Sequence, residues 1–103
     1  MSRLEISNIQ ENPVITINLD GRLDTTTAPE LQTYYEELDL NDFENVKIDF
    51  EKLEYISSAG LRVLLIFQKD CSKKKKDLYM INVSEDVQEI FDVTGFSDIL
   101  NIV

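Results

Sequence analysis

The order in which strand-like and helix-like patterns follow one another constrains the fold more than any other feature of the sequence. Runs that alternate apolar and polar residues predict strands, and apolar residues at helical spacing predict helices. The predicted order is strand, strand, helix, strand, helix, strand, helix, and then a short helix or strand. Strands separated by helices usually become parallel neighbours, whereas a turn joins the first two. The pattern therefore predicts an α/β domain with a mixed sheet.

The apolar residues that define these segments are, in chain order, Leu4 and Ile6; Val14, Ile15, Ile17 and Leu19; Leu31, Tyr34, Tyr35 and Leu38; Val46, Ile48 and Phe50; Leu61 and Val63–Phe67; Leu78, Met80, Ile81 and Val83; Val87, Ile90 and Phe91; and Phe96, Ile99, Leu100, Ile102 and Val103.

Residues that favour helix ends lie at the predicted boundaries. The segment Thr27-Ala28-Pro29-Glu30 has the form of a capping box at the start of the first helix. Ser84 is expected to cap the third helix, and Gly95 to end it. The basic run Lys73–Lys76 follows the second helix, where it complements the negative end of the helix dipole. We therefore interpret this run as a solvated helix end rather than a nucleic-acid site.

Composition excludes several classes of function. Twenty acidic and ten basic residues give a net charge of −10, which should repel nucleic acids and anionic membranes. The absence of histidine rules out a Ser-His-Asp triad and any His-ligated metal. The three glycines are too widely spaced for a P-loop or a dinucleotide fingerprint. We expect no enzyme activity, no catalytic residues, no metal and no cofactor.

Length and hydropathy predict one domain spanning residues 1–103. No apolar run approaches the roughly 20 residues of a membrane-spanning helix, and the first ten residues lack the apolar region of an export signal. The expected location is therefore the cytoplasm. Cys71 is the single cysteine, so an internal disulfide is impossible and a buried or half-buried thiol is expected.

The segment Glu54–Leu65 places two serines where a strand leads into a strongly apolar helix. A serine at that point has its hydroxyl beside the free N–H groups of the first turn, where a phosphate is electrostatically favoured. Serine is also among the best N-cap residues, so Ser57 or Ser58 could serve only to cap the helix. On local chemistry alone, the capping role is the better explanation.

Three segments in order resemble the STAS family, and specifically its bacterial anti-sigma factor antagonists. Tyr55–Leu61 resembles the phosphorylation loop, Leu19–Asp24 an earlier signature, and Ile90–Phe96 the late helix end. The resemblance covers nearly the whole chain. It implies a STAS-type fold, with a mixed four- to five-stranded sheet and helices packed mainly on one face.

The resemblance also implies roles for particular residues. Ser58 occupies the phosphoacceptor position, while Ser57 stands where many members have aspartate and is the alternative acceptor. The residues implied to contact a partner are Asp24, Thr25, Thr26, Ser57, Ala59, Gly60, Leu61 and Arg62. Asp24 is expected to orient the loop or the incoming kinase.

The implied mechanism is partner switching. The unmodified chain binds an anti-sigma factor that is itself a serine kinase, and phosphorylation of Ser58 ends the association; a serine phosphatase would restore the active form. One alternative is a STAS adaptor of a transporter or signalling assembly that is never phosphorylated. Another is an acyl carrier, also small and acidic, but its helical bundle disagrees with the alternating runs Val14–Ile17 and Val46–Phe50.

Overall fold

The fold is a five-stranded sheet with three α-helices, seen in a computed structural model that describes residues 3–103. The elements are β1 (Leu4–Glu11), β2 (Val14–Leu23), α1 (Ala28–Glu36), β3 (Asn45–Ile56), α2 (Ser58–Lys73), β4 (Asp77–Ile81), α3 (Glu85–Thr94), a 3₁₀ turn (Phe96–Asp98) and β5 (Asn101–Ile102). The predicted order of elements is confirmed, and the final segment contains both a short helix and a short strand.

The strands lie in the sheet in their chain order, β1-β2-β3-β4-β5. β1 pairs antiparallel with β2, and every later pair is parallel, so the predicted mixed sheet is confirmed. The helices lie on one face, as predicted. The Tyr35 ring on α1 stacks on Phe67 of α2 with the ring centroids 4.0 Å apart, and Phe91 of α3 meets Phe50 edge-on.

Alternation along the strands builds the core. Ile15, Ile17 and Leu19 on β2 are almost completely buried, and polar residues between them point to the uncovered face. The same alternation places Val46, Ile48 and Phe50 of β3 in the core. Leu78 and Met80 of β4 complete the buried layer. No helix within residues 3–103 has the length and hydropathy needed to cross a membrane.

Helix boundaries confirm some predictions and correct one. Ser84 caps α3 by accepting the Val87 N–H, and Gly95 ends this helix in the left-handed region at φ 83°. Thr27 stands at the N-cap position of α1, but its side chain does not cap the helix, so the predicted capping box is wrong. The reason is that the Thr27 hydroxyl accepts the Asp24 N–H at 2.8 Å and donates to the carbonyl of Arg22 at 2.7 Å.

The lysines after α2 are mostly solvated, as predicted. Lys74 pairs with Asp70 one turn earlier, with Nζ 3.1 Å from Oδ2. Lys76 is half-buried and donates its ammonium to the carbonyl of Phe43 at 2.7 Å. Cys71, on the inner side of the same helix, is fully buried, and burial raises the pKa of its thiol.

Candidate functional site

The carboxyl ends of β2 and β3 bring the two predicted loops together. Leu23, the last residue of β2, pairs with Ile56, the last residue of β3. Immediately beyond this pair, the Ser57 N–H donates to the Leu23 carbonyl at 2.9 Å. The segment after β2, which begins with Asp24, therefore lies beside the start of α2. Polar residues on loops at the carboxyl edge of parallel strands commonly form binding sites, as in other open α/β sheets.

Gly60 allows the start of α2 to pack closely against this edge. A Cβ at position 60 would lie 2.7 Å from Cγ of Leu23 and 3.0 Å from Cγ1 of Ile56. Both of those side chains are buried, so they have little room to move away. The absence of a side chain at Gly60 therefore fixes how near the Ser57–Ser58 segment comes to the end of β2.

The two serines have different environments. Ser57 is the N-cap of α2 and is half-buried, and its Oγ accepts the Gly60 N–H over a long 3.5 Å contact. Ser58 is the first residue of the helix and is exposed. Within residues 3–103, no side-chain hydrogen bond engages the Ser58 hydroxyl. The capping role considered from the sequence thus belongs to Ser57, and the Ser58 hydroxyl remains accessible to solvent.

Asp24 organises the loop between β2 and α1. Its Oδ1 accepts the Thr26 hydroxyl at 2.7 Å, the Thr26 N–H at 2.9 Å and the Thr27 N–H at 3.1 Å. The hydrogen bond from the Thr26 hydroxyl, helped by these backbone donors, holds the pKa of Asp24 at about 2, well below its usual 3.8. Asp24 is therefore a carboxylate at neutral pH, and it holds the loop that precedes α1.

Two arginines face the other oxygen of Asp24. Arg3 NH1 lies 3.5 Å and Arg22 Nε 4.0 Å from Asp24 Oδ2. The Arg22 guanidinium also lies over the Tyr55 ring, 4.3 Å from its centroid. Arg3 reaches this place because Gly21, at φ 119°, leaves room for the Arg3 carbonyl: a Cβ there would lie 2.1 Å from that oxygen. The Arg22 N–H donates to the same carbonyl at 2.8 Å.

The predicted partner-binding residues lie along one edge but at different depths. Thr25, Thr26, Ser58 and Arg62 are exposed, and Asp24, Ser57 and Ala59 are partly buried. Gly60 and Leu61 are buried beneath them, where they hold the helix in place.

The sequence prediction missed Arg3, Arg22 and Tyr55, which the structure adds to this edge. Arg3 directly precedes β1, Arg22 lies near the end of β2, and Arg62 lies in the first turns of α2. Arg22 falls inside the quoted Leu19–Asp24 signature, but its side chain carried no assigned role. Its contact with Tyr55 follows from the register of β2 against β3, which pairs the two residues directly.

The site offers an exposed hydroxyl, a fixed carboxylate and a rim of guanidinium groups. Across the part of the chain that the structure describes, no group of three or more Cys, Asp or Glu side chains is placed to hold a metal ion. The arrangement provides an exposed edge on which the Ser58 hydroxyl is accessible to solvent.

The comparisons with known proteins concern the family and the fold. The STAS domain family matches residues 5–103. The anti-sigma-B factor antagonist of Staphylococcus epidermidis is 27% identical over 99 residues, which cover 96% of this chain and 92% of the relative. An anti-sigma factor antagonist from Mycobacterium paratuberculosis has the same fold, with a TM-score of 0.84 and 17% identity over 96% of this chain and 84% of that one. The Bacillus cell fate determinant SpoIIAA in its phosphorylated form gives a TM-score of 0.71 and 15% identity over 97% and 90% of the two chains. From the family match over almost its full length, the chain belongs to the STAS domain family.

Proposed function

We propose that this chain is an anti-sigma factor antagonist. In its unmodified form it binds an anti-sigma factor that is a serine kinase, and phosphorylation of Ser58 releases it. The name of the Staphylococcus epidermidis relative supports the regulatory class, and the phosphorylated state of SpoIIAA supports modification within this fold. The chain itself acts as a binding protein in the cytoplasm and catalyses no reaction.

The observation that carries the proposal is the exposure of the Ser58 hydroxyl at the first residue of α2. A kinase must bring the oxygen of its substrate in line with the γ-phosphoryl group of ATP, so the acceptor has to be accessible. Ser58 meets this requirement. Ser57 is the weaker candidate, since it is half-buried and its oxygen caps the helix.

The docking edge in this proposal is formed by residues 24–26 and 57–62, and phosphorylation changes its charge without disturbing the core. The γ-phosphoryl group of ATP forms a bond to Ser58 Oγ, the hydroxyl proton is lost and ADP leaves. The product carries about −1.5 to −2 charges at neutral pH. Because Ser58 points to solvent and the helix N-terminus favours an anion, the modified chain keeps its fold. A partner fitted to the neutral hydroxyl then meets both bulk and charge.

The contact surface in this proposal consists of the exposed and partly buried residues of the two segments. Thr25 and Thr26 lie on the loop that Asp24 holds in shape, and Ala59 and Arg62 lie on the first turns of α2. Both segments are anchored to the ends of paired strands. The surface is therefore preorganised, which lowers the entropy lost on docking.

A titration against the cognate kinase tests the proposal with a matched control. Ser58→Ala should bind as tightly as the unmodified wild type, and Ser58→Asp should bind about tenfold more weakly or worse, since an unpaired charge at a contact costs more than about 1.4 kcal/mol. Ser72 is an exposed serine near the other end of the same helix, so Ser72→Asp should leave affinity unchanged. Equal affinities for all these proteins would refute the switch.

Mapping of the modified residue separates the proposal from the adaptor alternative. After incubation with ATP and the serine kinases of the source organism, mass spectrometry should find phosphate on Ser58 in the wild type and in Ser57→Ala. Modification that disappears in Ser57→Ala and persists in Ser58→Ala would move the acceptor to Ser57. A chain that no kinase modifies would be an adaptor with a constitutive docking edge.

A further inference from the structure

Arg62 is an exposed cation one helical turn after the acceptor serine. Ser58 and Arg62 are four residues apart in α2, so their side chains emerge from the same face of the helix, with about 5–6 Å between Cβ atoms. Helical side chains lean toward the N-terminus, which directs the Arg62 guanidinium back over the first turn. An anion at position 58 would therefore lie within its reach.

Arg62 also forms no ion pair with any residue of the part of the chain that the structure describes. The three ion pairs in residues 3–103 involve Arg3, Arg22 and Lys74, and none involves Arg62. Arg3 and Arg22 face Asp24 Oδ2, and Arg22 is further held over Tyr55. Of the cations on this edge, Arg62 is thus the one whose guanidinium is left to pair with a new charge.

We propose that Arg62 is the intramolecular counter-ion of phosphorylated Ser58. This inference rests on the proposed function, because it concerns the modified state of that site. A guanidinium binds two phosphate oxygens at once, and an anion placed N-terminal to a cation at this spacing is the favoured orientation in a helix. Phosphorylation then has two effects on the docking edge: it adds a dianion and it draws Arg62 away from an incoming partner.

The helix N-terminus and Arg62 act on the phosphate in the same direction. The free N–H groups of the first turn stabilise the anion from below, and Arg62 stabilises it from the side. The opposing charge on this edge is Asp24, whose carboxylate is shared between its own loop and two arginines. The modified serine is therefore expected to order the first turns of α2 rather than to fray them.

The test measures the phosphate directly in the full chain. Phosphoserine is incorporated at position 58 during translation, and ³¹P NMR follows its second ionisation, whose ordinary pKa is about 6. The pKa should be about 0.2–0.4 unit lower with Arg62 than in Arg62→Gln, as expected for one pair at this spacing, and the difference should shrink at high salt. Lys69→Gln removes an exposed cation two turns further along α2 and is the matched control. It should leave the pKa of the phosphate unchanged.

Thermal unfolding provides a second readout. Phosphoserine at position 58 should raise the midpoint by about 1–4 °C more in the wild type than in Arg62→Gln. Equal phosphate pKa values with and without Arg62 would overturn the inference, and so would a shift that depends on Arg22 instead. Because the phosphoserine is incorporated without a kinase, this result is independent of whether any kinase modifies Ser58 in the cell. A failed titration against the kinase would leave the pairing intact, and a failed pairing would leave the switch intact.

Discussion

Replacing Gly60 by alanine places a methyl group where the structure has no room for one. The new Cβ would lie 2.7 Å from Cγ of Leu23 and 3.0 Å from Cγ1 of Ile56. Neither is the free end of a long side chain, and both residues belong to the core. Either α2 moves outward or the carboxyl ends of β2 and β3 shift.

The size of the effect follows from two opposing contributions. Overpacking a core typically costs 1–3 kcal/mol, whereas alanine gains up to about 1 kcal/mol over glycine in a helix. A 2.7 Å contact with a buried side chain places the overpacking cost in the upper part of its range, so the net loss for Gly60→Ala is about 1–2 kcal/mol of unfolding free energy. Each kcal/mol of lost unfolding free energy would lower the thermal midpoint by about 4–8 °C.

Urea unfolding measures this loss and tests its cause. The transition midpoint should fall while the slope against denaturant stays the same. The control is a double-mutant cycle with Leu23→Ala, which removes the atom nearest to the new methyl group. Gly60→Ala should cost less in that background. A neutral or stabilising Gly60→Ala, or an unchanged cost in the Leu23→Ala background, would refute the packing argument.

Three further predictions concern groups near the site and in the core. Because its hydrogen bonds depress the pKa of Asp24 to about 2, its contribution to stability is complete above about pH 4 and is lost as the pH falls toward 2. The difference in unfolding free energy between wild type and Asp24→Asn should shrink over that range, and a constant difference would contradict the assigned hydrogen bonds. Thr27→Val leaves the Arg22 carbonyl and the Asp24 N–H unpaired in a buried position and should cost about 1–3 kcal/mol in urea unfolding. The exposed Thr25→Val should stay within about 0.5 kcal/mol, and equal losses would argue against this role. The buried Cys71 thiol, its pKa raised by burial, should react with Ellman's reagent only as fast as the chain opens, and immediate reaction in native buffer would be incompatible with its burial.

Local patterns were sufficient to predict much of the fold. The order of elements depends on alternation and helical spacing, which are visible without tertiary contacts. Ser84 and Gly95 were identified correctly because each acts within its own helix end. Ser58 could be singled out by resemblance, and its exposure depends on the chain entering α2 at Ser57.

The errors and omissions have a tertiary cause. Alternation predicts buried residues at every second position, yet the end of β3 buries Phe50, Leu53 and Ile56, which are three apart. Shifts in the register against β2 explain this spacing, and one of them lies at Gly21. The same irregular pairing brings Arg22 to Tyr55. None of these contacts is encoded in a short segment of sequence.

The failed capping box has a similar origin. Thr27 fits the local motif, but tertiary structure offers its hydroxyl the Arg22 carbonyl at the end of β2. Asp24 then takes over the backbone donors of the loop. A sequence motif records which hydrogen bonds a residue is able to form, and the surrounding strands decide among them.

Because the strands lie in the sheet in chain order, the sheet can be built by adding one strand after another in the order of the chain. No strand has to insert between two that have already paired, since each one joins the open edge left by its predecessor. The parallel connections span residues 24–44, 57–76 and 82–100, so each step closes a loop of similar length. Loop-closure entropy is therefore spread evenly over three steps. A chain of this design can begin to fold from the β1–β2 hairpin while its last helix is still being synthesised.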